Sequence, residues 1–201
     1  MRRILSKFSV FELLTISLTA ALGVAVKPAV SSLARIITGP LAIPGGVLAG
    51  GIYMMFPVLA YGLTCRRLAG TLTALVQALI VVLTGIAGSQ GIMSFVTYLL
   101  PGAAVDLVML LFSLRSLRKK NLNSNSSSNS SGKVRSKAPA CFCAGIAANL
   151  TGSLLVSVLL FNIPLIPLLL SLAAAALSGG LGGLLAYFIL KQIYKLDLLP
   201  D

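Results

Sequence analysis

The chain has 201 residues, of which 57% are hydrophobic and only 10% charged, and its mean hydropathy is +1.00. This composition excludes a soluble globular domain, which needs a charged surface, and the repeated apolar runs have bilayer-spanning length. The net charge of +12 does not point to nucleic acid, because the basic residues flank apolar spans with no aromatic-rich polar surface between them.

The first apolar run covers about residues 8–26 and lacks a small-residue cleavage site, so it is expected to stay as a helix rather than leave as a signal peptide. It carries Glu12 near its start, then Ala21 and Ala25. Residues four apart share a helix face, so these alanines form a smooth strip that suits either a packing seam or a docking surface. Residues 27–44 are polar and broken by Pro28, Pro40 and Pro44. They read as an external loop capping the bundle, with a short helix allowed over 31–38.

Spans two and three, about 45–64 and 68–87, are joined by Arg66 and Arg67. Span four, about 92–114, follows the polar connection Ser89-Gln90 and contains Tyr98, Pro101 and Asp106. Residues 115–138 are a basic, Asn/Ser-rich linker, and its low-complexity centre is flexible tether. Asn125 and Asn129 match the glycosylation pattern but fall on the predicted cytoplasmic side, so no glycan is expected. Spans five and six cover about 139–162 and 165–190, and the last carries Gly179-x-x-x-Gly183, which lets helix backbones approach closely. Each span is near the roughly 20 residues that cross a hydrocarbon core.

With the N-terminus in the cytoplasm and six spans, every basic residue except Lys27 and Arg35 falls on the cytoplasmic side. Cytoplasmic loops collect Lys and Arg, so this asymmetry fixes the expected fold. It is all-α, a single membrane domain of six transmembrane helices, multi-pass in the cell membrane with both termini cytoplasmic.

The chain has no histidine, which removes Ser-His and His-metal chemistry together. Cys65, Cys141 and Cys143 lack zinc-site spacing and read as ordinary small residues. There is no GxxxxGK[ST] phosphate loop, so the chain does not itself hydrolyse ATP by that route. No catalytic residue, metal site or cofactor is expected, and the chain is not read as an enzyme.

Of its four acids, Asp197 and Asp201 lie in the tail. Asp106 sits about 14 residues below the outer end of its span, roughly 21 Å down. It therefore shares the inner half with Glu12, Arg66 and Arg67, and pairing among these four lowers the cost of burying charge. A proton or cation relay is the competing role for Asp106. Tyr53, Gln77, Ser89, Gln90, Tyr98 and Asn149 supply amides and phenols from the mid-membrane to the outer mouth, and form the candidate substrate site. The plainer reading of each is interhelical hydrogen bonding.

The length, six spans, cytoplasmic termini and Ala21-x-x-x-Ala25 strip resemble the substrate-binding S components of energy-coupling factor (ECF) transporters, a class of vitamin importers. Phe11-Glu12-Leu13, Gly39-Pro40, Arg66-Arg67-Leu-Ala-Gly70, Gly85 and Pro101-Gly102-Ala-Ala-Val-Asp106 look most like the hydroxymethylpyrimidine/thiamine type. The resemblance runs from Val10 to about Leu114 and loosens beyond it, and the Asn/Ser linker departs from it. It implies a small vitamin-like ligand bound at the outer face. It also implies docking through Ala21 and Ala25 on a membrane T component that carries two ATPase subunits, and delivery by toppling of the bundle. A stand-alone proton-coupled transporter is the alternative, though no repeated halves are visible. A membrane assembly protein without transport is another.

Overall fold

The structure is a computed structural model that describes residues 8–38, 45–85, 93–122, 137–160 and 164–196. These residues form six helices and no strand: α1 (Val10–Thr38), α2 (Gly45–Thr64), α3 (Ala69–Thr84), α4 (Met93–Leu122), α5 (Ala138–Leu155) and α6 (Leu165–Lys195). A π-helical turn, Val156–Leu160, extends α5. All but α3 contain a stretch long and apolar enough to cross a membrane. With 16 residues, α3 spans only about 24 Å.

The expected external loop over 27–44 is instead helical as far as Thr38, as an unbroken continuation of α1. Pro28 removes one amide from the ladder, which ends many helices, but membrane helices tolerate such losses. In the turn that follows, Ser31 and Ser32 donate to the Pro28 carbonyl at 3.2 and 2.8 Å. Ala34 is buried, so the extension lies against the bundle. Residues 39–44 and the linker centre, 123–136, lie outside the described residues.

The side chains are distributed inversely to those of a soluble bundle. The buried set is rich in Ala, Gly, Ser and Thr, whereas Leu14, Leu18, Leu83, Leu107, Leu177, Leu181 and Phe188 point outward. Lipid tails are as apolar as leucine, so these helices gain by close backbone approach rather than by burying leucine.

Close approach is greatest at α6, which packs on α5 and α2. A β-carbon on Gly145 would come within 2.2 Å of the Gly179 carbonyl oxygen, and one on Gly182 within 1.8 Å of the Gly51 carbonyl oxygen. The Gly179-x-x-x-Gly183 motif thus serves packing inside the chain. The other neighbours are α1 with α2 and α3, α2 with α3, α4 and α5, and α4 with α3 and α5.

Alternation of helix direction gives the bundle two distinct ends. One carries the start of α1, the 65–68 turn, the ends of α4 and α6, and the start of α5, with Arg66, Arg67, Arg115, Arg118, Lys137, Lys191 and Lys195. The other carries the ends of α1, α3 and α5 and the starts of α2, α4 and α6.

Candidate functional site

At the end away from the basic cluster, the extension of α1 brings Lys27 to two tyrosines. The Lys27 ammonium donates a short hydrogen bond to the Tyr98 hydroxyl. It also lies 4.5 Å from the centre of the Tyr98 ring and 5.6 Å from that of Tyr53, within cation–π range. Tyr98 is buried against Val24, Ala78 and Val81, and Tyr53 is half-buried.

Prolines supply further polarity at this level. Pro28, Pro57 and Pro101 each lack an amide proton, which the helix would otherwise aim four residues back, at the carbonyls of Val24, Tyr53 and Thr97.

Two buried serines lie toward the same end of the bundle. Gly152 on α5 faces Pro101 on α4 and Met54 on α2, where a β-carbon would lie 3.4 and 3.5 Å from their side chains. That contact sets the register of the antiparallel α4 and α5. Ser157, in the π-helical turn, and Ser94, one turn above Tyr98 on the same face, then lie about 8 and 10 Å further toward the Lys27 end. Both are fully buried, and neither hydroxyl has a hydrogen-bond partner.

The other expected ligand-site residues divide. Gln77 is buried close to this cluster, with its amide packed on Gly23, where a β-carbon would stand 2.1 Å from Nε2. Asn149 is committed elsewhere. Its amide donates to the Val47 and Ala175 carbonyls at 3.1 and 2.9 Å and to the Ser178 hydroxyl at 2.7 Å, which ties α2, α5 and α6 together. Ser89 and Gln90 lie outside the described residues.

At the basic end, Glu12 accepts from Arg66 Nε at 2.8 Å. Glu12 also accepts the Ser9 amide at 2.8 Å, as a helix N-terminal carboxylate does. Arg67 is exposed in the turn. Asp106 takes no arginine. Its carboxylate accepts the backbone amides of Gly70 and Thr71 at 3.1 and 2.7 Å and the Thr71 hydroxyl at 2.5 Å.

Those amides are the unpaired donors of the first turn of α3. Leu68, the capping position, stands at φ 72° and has no side-chain oxygen to offer, so α4 supplies the cap. Gly70 and Gly102 let the helices come close enough: a β-carbon on Gly102 would stand 2.4 Å from that of Ala74. The partner expected for Asp106 was a cation, and the structure provides a helix N-terminus, whose dipole serves the same electrostatic need.

Residues 12–124, more than half of the chain, match the family described as "ABC-type cobalt transport system, permease component". The chain belongs to this permease family. A solved structure described as the crystal structure of an S-component of an ECF transporter has the same fold, with TM-score 0.62 and 17% identity, over 92% of this chain and 85% of that one. No curated protein matches the sequence. The relatives are transport components rather than enzymes, and this permease is a multi-pass membrane protein of a transport system.

In the permease fold, Ala21 and Ala25 are exposed, and Ser17 and Ala29 continue their strip one turn to either side. Leu14, Leu18 and Leu22 flank it, also exposed. Lys27 and the two buried serines were not among the expected site residues. The signal for Lys27 was its isolation as a cation on the side opposite nearly all others. Ser94 shares a helix face with Tyr98, four residues on, and that spacing was visible.

Proposed function

We propose that this permease is the substrate-binding S component of an ATP-driven ECF-type importer for a small water-soluble vitamin or precursor. The likeness of fold to an S-component over nearly the whole chain carries this reading. Membership in a transport permease family and the lack of a phosphate loop support it, since ATP hydrolysis then belongs to separate ATPase subunits.

In this reading the basic end faces the cytoplasm with both termini, and the Lys27 end faces outward. Ligand enters at the outer mouth between α1, α2 and α4, where Tyr53, Gln77 and Tyr98 contact it. The exposed Ser17–Ala21–Ala25–Ala29 strip docks on helices of a T component, because small residues admit close helix contact. The bundle then topples and releases ligand inward. Asp106 and the Glu12–Arg66 pair hold the cytoplasmic end in shape.

The thiamine and hydroxymethylpyrimidine type suggested by the sequence resemblance divides on charge. The Lys27 ammonium opposes the fixed positive charge of thiamine and admits neutral hydroxymethylpyrimidine. A bare cobalt ion, which the family description suggests, finds little to bind it. The chain has no histidine, and no group of three His, Cys, Asp or Glu side chains gathers among the described residues.

Co-purification of the tagged chain from its native membranes, followed by uptake into proteoliposomes, tests the proposal. The expected result is a complex with a T component and two ATPases that takes up organic vitamins only with ATP inside. Uptake by the chain alone, driven by a proton gradient, would favour a secondary transporter, and ATP-driven cobalt uptake would favour the metal.

A further inference from the structure

The exposed cations at the basic end are not spread evenly around it. On α4, Leu107, Leu111 and Leu114 are exposed, and Arg115 and Arg118, each one turn beyond one of these leucines, continue the same side of the helix. On α6, Leu177, Leu181, Leu185 and Phe188 are exposed, and Lys191 and Lys195 prolong that row at steps of three and four residues. Such rows of large apolar side chains face lipid, so four cations stand at the headgroup ends of lipid-facing stripes. The crossing stretch of α4 ends at Ser116 while the helix runs on to Leu122, which puts Arg115 and Arg118 at the border between hydrocarbon and headgroups. Topology asks for cations at this end of the bundle, but not on the outer faces of two helices.

Both helices pack on α5, which is entered from Lys137, also exposed. The five cations therefore form an arc along the α4–α5–α6 side. Neither acid among the described residues of this end serves it. Glu12 is taken by Arg66 and the Ser9 amide, and Asp106 by the start of α3. Asp197 and Asp201 lie outside the described residues, and two acids cannot neutralise five cations. Arg66 and Arg67 sit in the 65–68 turn, off the stripes. The small-residue strip of α1 lies elsewhere too, since α1 packs on α2 and α3.

We propose that this arc holds anionic phospholipids. Their phosphates are received by the guanidinium and ammonium groups, while their acyl chains lie along the apolar stripes directly below. Arginine matches a phosphate with two parallel hydrogen bonds, and the lysine stems lie on the apolar surface with their charges at the headgroups. A soluble phosphate finds only the charged half of this surface. The proposal needs only a membrane-embedded chain and is independent of the S-component reading.

Lipid retention by the purified full-length protein tests this. The protein is reconstituted in nanodiscs of phosphatidylcholine with a minor share of phosphatidylglycerol and extracted in mild detergent, and the bound lipid is counted by native mass spectrometry. Phosphatidylglycerol is expected to be enriched several-fold over its share in the disc. Added to delipidated protein it should raise Tm, with phosphatidylcholine and glycerol 3-phosphate inert. The paired changes Arg115→Gln with Arg118→Gln, and Lys191→Gln with Lys195→Gln, should each lower the enrichment on the order of fivefold. Exchanging Arg for Lys and Lys for Arg at the four positions should preserve it. Arg67→Gln, at the same end but off the stripes, should retain lipid as the unaltered chain does.

The proposal is overturned if lipid bound to the unaltered chain follows the bulk composition, a result that needs no variant to fold. It is also overturned if glycerol 3-phosphate stabilises the protein as well as the lipid does, or if Arg67→Gln loses as much lipid as either pair. If the paired variants keep phosphatidylglycerol and instead lose a co-purifying protein, the arc is a protein-binding surface and the lipid assignment falls. Co-purification with a T component and ATPases reads the S-component assignment separately, and neither result decides the other.

Discussion

Asp106 and Glu12 are both acids at the basic end of the bundle, and their surroundings give them unequal weight. Asp106 satisfies two amides and a hydroxyl that nothing else reaches, so Asp106→Ala should lower stability by about 2 kcal/mol. Glu12 pairs with an arginine that is half exposed, so Glu12→Gln should cost under about 1 kcal/mol. Thermal unfolding in detergent, with both variants measured side by side, reads the difference. Equal losses would mean that the helix cap contributes no more than the surface pair.

The same residues show what could be read from sequence. The place of Asp106 near the Arg66–Arg67 turn and its need for a positive partner followed from spacing alone. Its partner did not, because backbone amides have no letter of their own. The turn that exposes them uses Cys65 and Leu68 at positive φ, where sequence patterns look for glycine. Asn149 was legible as a polar residue at mid-depth, yet whether an amide faces ligand or a neighbouring helix depends on rotation of α5, which an apolar helix with almost no polar stripe leaves undefined.

At the scale of elements, the α5–α6 contact depends on glycine more than on any large side chain. Backbone meets backbone at Gly145, Gly179 and Gly183. Gly145→Leu should separate the two helices and give a protein that aggregates or loses most of its thermal stability, whereas Leu177→Ala on the lipid-facing side of α6 should change little. Size-exclusion profiles with melting curves would check this, and a Gly145→Leu variant that stays monodisperse at the usual Tm would contradict it. The small-residue motif in span six was legible from sequence. The length of α1 was not, because the Lys27-Pro28 pair resembles a helix end. The extra turns carry Lys27 to the tyrosines, so the misplaced boundary and the missed residue have one origin.

For the whole molecule, the all-helical architecture and the number of helices followed from apolar run lengths, which reflect the bilayer directly. What the fold adds is that the small-residue strip on α1 is exposed among the described residues. If it docks on a T component, Ala21→Trp and Ala25→Trp should leave the isolated protein as stable as before, because both positions are exposed. The same changes should reduce recovery of the complex at least tenfold, a loss on the order of 1.4 kcal/mol or more. Pull-down of the assembled complex beside thermal shift of the free chain separates docking from folding.

The shortness of α3 has a mechanical consequence. Its roughly 24 Å stand in a hydrocarbon layer of about 30 Å, while α1 and α6 exceed that thickness by more than 10 Å. Lipids beside Leu79 and Leu83 must therefore thin to follow α3, and those beside α6 must thicken unless that helix leans. Helices of such unequal length are expected to load the surrounding lipid unevenly. Leaning relieves the excess length of α1 and α6, so these two helices are expected to tilt against the bilayer normal.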